Sequence, residues 1–529
     1  VIEAAARPPS SAPGVPASEA TGYTHREVII IYIGLLLGMM LGALDQTIVA
    51  TALPTIVGEF GGLNHLSWVV TGYLLTSTAS TLLYGKLGDL IGRKRMFQVA
   101  IVIFLLGSAL SGLSQSMAQL IAFRAVQGLG AGGLMALAMA IIGDIVAPRE
   151  RGRYQGYNGA VFGLASIGGP LLGGFFVDTL SWRWVFYINL PLGIGALILT
   201  SLWLRETTRR KHSQIDYAGA ALMVGGVTSL LLVSTWAGSQ YAWSSPQILG
   251  LLGAAVVLLT LFVLVERTAP EPILSLELFR NGVFNIGNVG SFAMGAAMLG
   301  SVVFLPLFLQ LVTGASATNS GLLLMPLMLG AITASILAGR FVSATGRYKF
   351  FPVTGLSLEL IAFLLLSTMT ATTPQPMAAA YMVMLGIGMG MTMQVLTTAV
   401  QNAVDRRHLG TATSAMQFFR SMGGALGVAV YGSILNNRLA YYLSQLLPPG
   451  ATPQGFSPAD ISGGPAEILS LPPAVRQAII ESFARALHVV FLASVPMVAI
   501  ALIAALFLEE RPLRSTSHLE AEGHSALAA

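Results

Sequence analysis

GKLGDLIGRKRM, Gly85–Met96, decides the fold. It lies between two long apolar runs and is too polar for a bilayer core. It carries turn-forming glycines, one carboxylate (Asp89) and four cations (Lys86, Arg93, Lys94 and Arg95). The pattern returns 254 residues later as GRFVSATGRYK, Gly339–Lys349. Gly85 maps to Gly339, Lys86 to Arg340, Gly92 to Gly346, Arg93 to Arg347 and Arg95 to Lys349, whereas Asp89 maps to Ser343. The chain therefore reads as two copies of one multi-helix unit. Each copy has a basic, glycine-containing hinge after its second helix. Parallel repeats of helices are a transporter architecture.

Composition sets the solvent. Of 529 residues, 54% are hydrophobic and 10% charged, against about 25% charged in a soluble domain. A lipid solvent permits only helices or closed barrels. The apolar runs are about 20 residues long, the length of a membrane helix rather than a barrel strand. The net charge of +5 comes from loop cations and gives no reason to expect nucleic acid. With no cysteine, thiol catalysis and thiolate metal sites are excluded. No metal or cofactor is expected.

The hydropathy pattern predicts an all-α integral membrane protein with fourteen transmembrane helices, two six-helix bundles plus two extra central spans. Residues 1–27 read as a disordered cytoplasmic tail, 28–204 as the N-terminal bundle and 205–282 as a linker with the two extra spans. Residues 283–508 read as the C-terminal bundle and 509–529 as a second cytoplasmic tail. The extra spans have no repeat partner and are expected outside the transport path. One set of loops, with the tails, holds 22 of the 28 Lys and Arg residues. By the positive-inside rule those loops and both termini are cytoplasmic. The one long outer segment, 436–484, ends in an apolar series Val475, Ile479, Phe483, Leu487, read as a short interfacial helix before the last span.

Few polar residues lie inside the spans. A carboxylate deep in a membrane helix costs about 2.5–3.5 kcal/mol on insertion, so Asp45 is a functional candidate. At ~1.5 Å per residue, Asp45 and Arg124 share one depth below the outer surface, which permits an ion pair. Such a pair also serves simply to fix two helices. Burial disfavours a charged carboxylate and a guanidinium favours it, a balance suited to a proton carrier. On the proton-carrier reading, the bare Asp45 carboxylate favours a cationic substrate. Glu359 is a secondary acid on a helix expected to be peripheral, with a structural or lipid-boundary role. Asp144 lies near a span end and is expected to be wet. Arg420 suits either an anion or a balancing acid.

GLGAGG (Gly128–Gly133) and GLASIGGPLLGG (Gly163–Gly174) mark helices that touch closely. Gly169 and the helix-bending Pro170 are candidate elements of a conformational switch, with Gly85, Asp89, Gly92 and Arg93 of the hinge. Gln46, Gln127, Asn158, Asn288, Phe292, Met391, Gln394, Gln417 and Arg420 are candidate cavity residues. Each is also compatible with ordinary helix packing.

These stretches resemble the major facilitator superfamily, in particular its 14-span drug:proton antiporters of the EmrB/QacA type. GKLGDLIGRKRM resembles that family's loop signature, and LDQTIVATALP (Leu44–Pro54) its span-one signature. RAVQGLGAGG (Arg124–Gly133) and GLASIGGPLLGG resemble its span-four and span-five signatures. The resemblance implies a central cavity and alternating access, Asp89 in a cytoplasmic latch, and Asp45 and Arg124 in the coupling region. It implies a multidrug efflux antiporter of a bacterial cytoplasmic membrane. Its partners would be protons, membrane lipid and amphipathic drugs, dyes or lipophilic cations. Two alternatives stand beside it: a dedicated exporter of one metabolite, lipid or antibiotic, and a component that binds a periplasmic or extracellular partner through 436–484. No nucleophile–base set or phosphate-cradling loop supports an enzyme or ATP drive.

Overall fold

In the computed structural model, the described residues are 23–60, 66–206, 216–238, 240–313, 323–370, 372–447 and 472–513. The first bundle holds α1 (His25–Phe60), α2 (Leu66–Ile91), α3 (Arg93–Gly112) and α4 (Met117–Ile145). It continues through a surface helix α5 (Pro148–Gly156), α6 (Asn158–Thr179), a single turn α7 (Trp184–Tyr187) and α8 (Asn189–Trp203). The hairpin α9 (Tyr217–Trp236) and α10 (Pro246–Glu266) follows. The second bundle holds α11 (Gly282–Leu311), α12 (Met325–Thr345) and α13 (Phe350–Ser367). It is completed by α14 (Gln375–Ala403), α15 (Leu409–Leu446) and α16 (Pro473–Leu506).

Among the described residues, thirteen helical segments are long and apolar enough to cross a membrane. The helix α2 is long enough but is not one of them. Its middle is hydroxyl-rich (Thr76, Ser77, Thr78, Ser80 and Thr81) and its end carries Lys86 and Asp89. Two of those hydroxyls bond α4. Thr76 donates to the Ala125 carbonyl at 2.8 Å and Ser80 to that of Leu129 at 3.1 Å. Gly128 and Gly132 permit this approach, because a Cβ on either would strike the α2 backbone. Small residues and satisfied hydroxyls thus clamp two membrane helices where hydrophobicity alone gives no driving force.

Both described chain ends lie with the basic loops. Tyr23 is buried and its hydroxyl accepts from the Arg205 backbone N–H at 2.8 Å. At the other end the Tyr348 hydroxyl donates to the Glu509 carbonyl at 2.6 Å. Residues 23–27 and 509–513, assigned to the tails by sequence, include positions tied to the bundles by hydrogen bonds. Residues 1–22 and 514–529 lie outside the described residues.

The segment 436–484 also needs correction. The helix α15 runs on to Leu446, and residues 448–471 lie outside the described residues. Pro473–Leu506 is one continuous helix rather than a short interfacial helix followed by a span. Its apolar series packs inward: Ile479, Phe483 and Leu487 are buried in the second bundle's core with Leu435 and Leu439. Helical periodicity marks an apolar face and leaves open whether lipid or protein covers it.

The hairpin packs through α9 on both α2 and α15, while α10 rests on α9. Trp68 and Trp236 meet edge to face at 5.6 Å, and the Trp243 indole donates to Ser433 at 3.0 Å. Its outer face, with Leu249, Val256, Val257 and Leu264, is exposed.

Candidate functional site

The two bundles meet at the end that carries the basic loops. Gly92, with φ of 122°, ends the α2–α3 turn in a conformation that side chains other than hydrogen avoid. The turn sets Arg93 one helical turn after Asp89, at 2.6 Å. Asp89 also reaches across to the second bundle. Its Oδ1 accepts from the Gly410 backbone N–H at 3.0 Å. Its Oδ2 accepts from the Thr411 N–H and hydroxyl at 2.8 and 2.9 Å. These donors form the N-terminus of α15, where unpaired N–H groups and the helix dipole favour an anion. Arg93 also pairs with Asp144 and donates to the Arg406 carbonyl at 3.2 Å. Lys86 binds Glu271 at 2.7 Å. Gly85 lies directly against Gly410 and Ser414.

The second copy of the motif makes a weaker version of this contact. Gly339 lies against the Gly152 backbone, and Ser343 accepts from the Arg153 N–H at 3.1 Å. Arg340 hydrogen-bonds the Tyr157 hydroxyl and holds it below the ordinary tyrosine range. The serine that replaces the acid still accepts one bond but adds no charge.

Asp144, expected to be wet, is buried between Arg93 and Arg406. Its position at a helix end suggested solvent. The facing bundle covers that end, which one helix's sequence does not reveal.

A second polar cluster is sealed inside the first bundle. Asp45 on α1 meets Arg124 on α4 at 2.5 Å. Arg124 donates through the same nitrogen to Gln127 at 2.8 Å, and Gln127 donates to Asp45 Oδ1 at 2.8 Å. Asn189 on α8 donates to Asp45 Oδ1 at 3.2 Å and to Ser108 at 3.0 Å. The Arg124 guanidinium lies 4.2 Å from the Tyr73 ring centre, a cation–π contact. Asp45 is 0% exposed and Arg124 1%. As drawn, every contact to Asp45 is a donor to a carboxylate, a form that accepts only. Oδ1 already accepts two bonds, so a proton there displaces an amide donor, while a proton on Oδ2 removes the charge that holds Arg124.

Asn189 and Ser108 were not anticipated. Asn189 sits in WRWVFYINLP, Trp182–Pro191, whose aromatics suggest only an interface belt. Its signal was one amide inside an otherwise apolar helix start.

Close beside Asp45, Thr47 donates to the Ala165 carbonyl of α6 at 2.8 Å, and Gly169 packs on Thr47. Pro170 interrupts the α6 backbone ladder on an exposed face. The candidate switch residues therefore divide between the basic end and the α1–α6 contact.

Most expected cavity residues are occupied elsewhere. Gln127 belongs to the Asp45 cluster. Asn158 is buried and accepts from the Tyr32 hydroxyl at 3.1 Å. Asn288 donates to its own helix at Phe284. Met391 packs on Gly355, while Phe292 rests against the α15 backbone at Gly423. Gln394 is buried with its carbonyl oxygen unpaired. Gln46 is exposed on α1.

A cavity of about 10 Å³, room for a water, lies in the second bundle against Met139 of α4, and Gln417 and Arg420 line it. Ser291, Thr397 and Thr413 supply hydroxyls. Methionines Met139, Met294, Met393 and Met416 supply a flexible apolar wall.

Glu359 is not at a lipid boundary: it is 0% exposed, between α13 and α14. The Thr392 hydroxyl has one proton, and the Gly388 carbonyl at 2.9 Å competes for it with Glu359 at 3.3 Å. Among the described residues no cation pairs with Glu359. Glu359→Gln should therefore fold and transport like the wild type, shifting stability by less than about 1 kcal/mol, one hydrogen bond's worth. Glu359→Lys places an unpaired cation there and should abolish assembly. Thermal unfolding of the purified variants checks both.

A family model described as Major Facilitator Superfamily matches residues 35–428. The chain belongs to that superfamily. It is an integral membrane transporter and not an enzyme. The transporter is 43% identical over 484 residues to an uncharacterized MFS-type transporter of Mycobacterium tuberculosis, covering 92% of this chain and 70% of that one. It is 39% identical over 506 residues to the multidrug transporter protein MdtP of Bacillus subtilis (strain 168), covering 91% and 93%. Among solved structures it is similar to the proton:xylose symporter XylE, with a TM-score of 0.59 at 15% identity, covering 94% of this chain and all of that one. At that identity the likeness concerns the fold alone.

Proposed function

We propose that this transporter exports amphipathic small molecules in exchange for protons, by alternating access across a bacterial cytoplasmic membrane. The basic end, with both termini, faces the cytoplasm. The observation that carries the proposal is the Asp45 cluster: a carboxylate inside a membrane helix, with no exposed surface, whose charge holds one guanidinium and two amides. The name of the MdtP relative supports the multidrug character. The methionine-walled cavity supports substrates of varied shape.

With the basic end inside, the Asp89 contacts close the cytoplasmic side. On this reading the state described is the one that precedes opening to the outer side. Protonation of Asp45 from outside releases Arg124 or the amides and loosens α1 from α4. The Thr47–Ala165 bond and the Gly169 contact carry that change to α6. Separation of Asp89 from the α15 N-terminus then opens the cytoplasmic side, where the proton leaves. Vesicles holding the purified protein, with an acidic lumen, should accumulate a substrate dye, and a protonophore should abolish the accumulation. Accumulation that survives the protonophore would exclude proton drive.

A further inference from the structure

We propose that the cavity lined by Arg420 is an anion site. Its preferred substrates would carry a carboxylate, sulfonate or phosphate head on an apolar body. This rests on the exporter reading and names its substrate class. Asp45, the acid expected to attract a cation, has no exposed surface and is held by Arg124, Gln127 and Asn189. The charged group that lines the cavity is Arg420. Among the described residues Arg420 pairs with no carboxylate, and its contact is the Gln417 side-chain oxygen. A guanidinium in a membrane helix without a counter-charge is costly, and such groups mark substrate paths.

The position of Arg420 is built into the backbone. The carbonyl of Arg420 lies against Gly295 of α11, where any side chain would collide with it. This is one of the closest approaches of α11 to α15, so the guanidinium is anchored by packed helices and not by a loop. Its planar fork donates two parallel bonds to a carboxylate or phosphate. Ser291 of α11 lines the same cavity and offers a hydroxyl to an anionic head, whereas the Thr413 hydroxyl is committed to the Leu409 carbonyl at 2.7 Å. The flexible methionines would move aside to admit the apolar body when the cavity opens.

An anion at Arg420 cannot displace the Asp45 proton by charge repulsion. Exclusion between proton and substrate must then run through helix movement, since the two groups sit in different bundles. Exchange of one proton inward for one monovalent anion outward carries two charges.

The test uses the full chain in nanodiscs and two probes with one apolar body, 1-pyrenebutyrate and 1-pyrenebutyl-trimethylammonium. The wild type should bind the carboxylate roughly tenfold more tightly, the worth of one charge-assisted hydrogen bond. Arg420→Gln should remove the preference, and Arg420→Lys should keep part of it. Equal binding, or preference for the ammonium probe, would overturn the proposal, and the wild-type comparison stands even where a variant misfolds. Loss of both probes to the same degree in a folded Arg420→Gln protein would also overturn it. A carboxylate preference without pH-driven transport leaves the anion site standing and defeats the exporter reading instead.

Discussion

Arg124→Ala should lose about 3–5 kcal/mol of stability, the cost of stranding one member of a buried ion pair. Asp45 is held by Arg124 at 2.5 Å, with Gln127 and Asn189 at its other oxygen. Without the guanidinium, those two amides face a carboxylate that has no exposed surface. The Tyr73 ring also loses its cation, and α2 loses the bond from Arg124 to the Val69 carbonyl at 3.3 Å. The double variant Arg124→Ala, Asp45→Asn removes the stranded charge, and its stability should return toward the wild type. Its transport should not return. Denaturant unfolding in detergent, followed by helical circular dichroism, reads the difference. Equal destabilisation of the single and double variants would show that Arg124 acts by packing alone.

The second large effect is expected at the basic end. Asp89→Asn should slow transport by roughly tenfold or more while substrate binding changes little. The carboxylate accepts three bonds from Gly410 and Thr411, two of them from the backbone of a helix N-terminus. Charge-assisted bonds of this kind contribute about 1.5–3 kcal/mol, so their loss shifts the balance of the two states by a factor of ten or more. An amide keeps one acceptor oxygen but puts donors against donors and leaves Asp144 as the one carboxylate paired with Arg93. A double mutant cycle with Thr411→Val separates the cross-bundle bond from the local Arg93 pair. Binding and transport lost in equal measure would point to misfolding in place of a gating defect.

What was legible in the sequence follows from period and polarity. Runs of about twenty apolar residues can only be membrane helices, so the fold class was readable. The repeat of Gly85–Met96 at Gly339–Lys349 marked the two hinges, which the structure places at one end of the molecule. Asp45 and Arg124 stood out because charge in an apolar helix is rare, and their matched depths permit the ion pair that the structure shows. Partners contributed by polar but uncharged residues were not legible. Gln127 looked like a cavity residue, because its spacing of three from Arg124 predicts a shared face but not which side chain will use it. Asn189 hid in an aromatic segment. Asp144 looked wet, because the Arg93 and Arg406 that cover it come from remote parts of the chain. The apolar face of Pro473–Leu487 looked like a membrane surface helix, because period alone does not distinguish lipid from a protein neighbour. The cationic-substrate expectation rests on the same acid. A lone acid in a sequence gives no sign that three hydrogen bonds already occupy it.

The central claim is that Asp45 carries the proton that drives export. Purified wild type and Asp45→Asn, reconstituted into vesicles with an acidic lumen, give its most direct test. Asn at 45 has the shape of the acid but cannot exchange a proton. A pH unit supplies about 1.4 kcal/mol. Wild type should therefore concentrate 1-pyrenebutyrate in the lumen, and more strongly with each added unit of gradient. Asp45→Asn should insert and bind the probe yet bring it only to equal concentrations on both sides. Uphill, pH-driven accumulation by Asp45→Asn at the wild-type level would contradict the account.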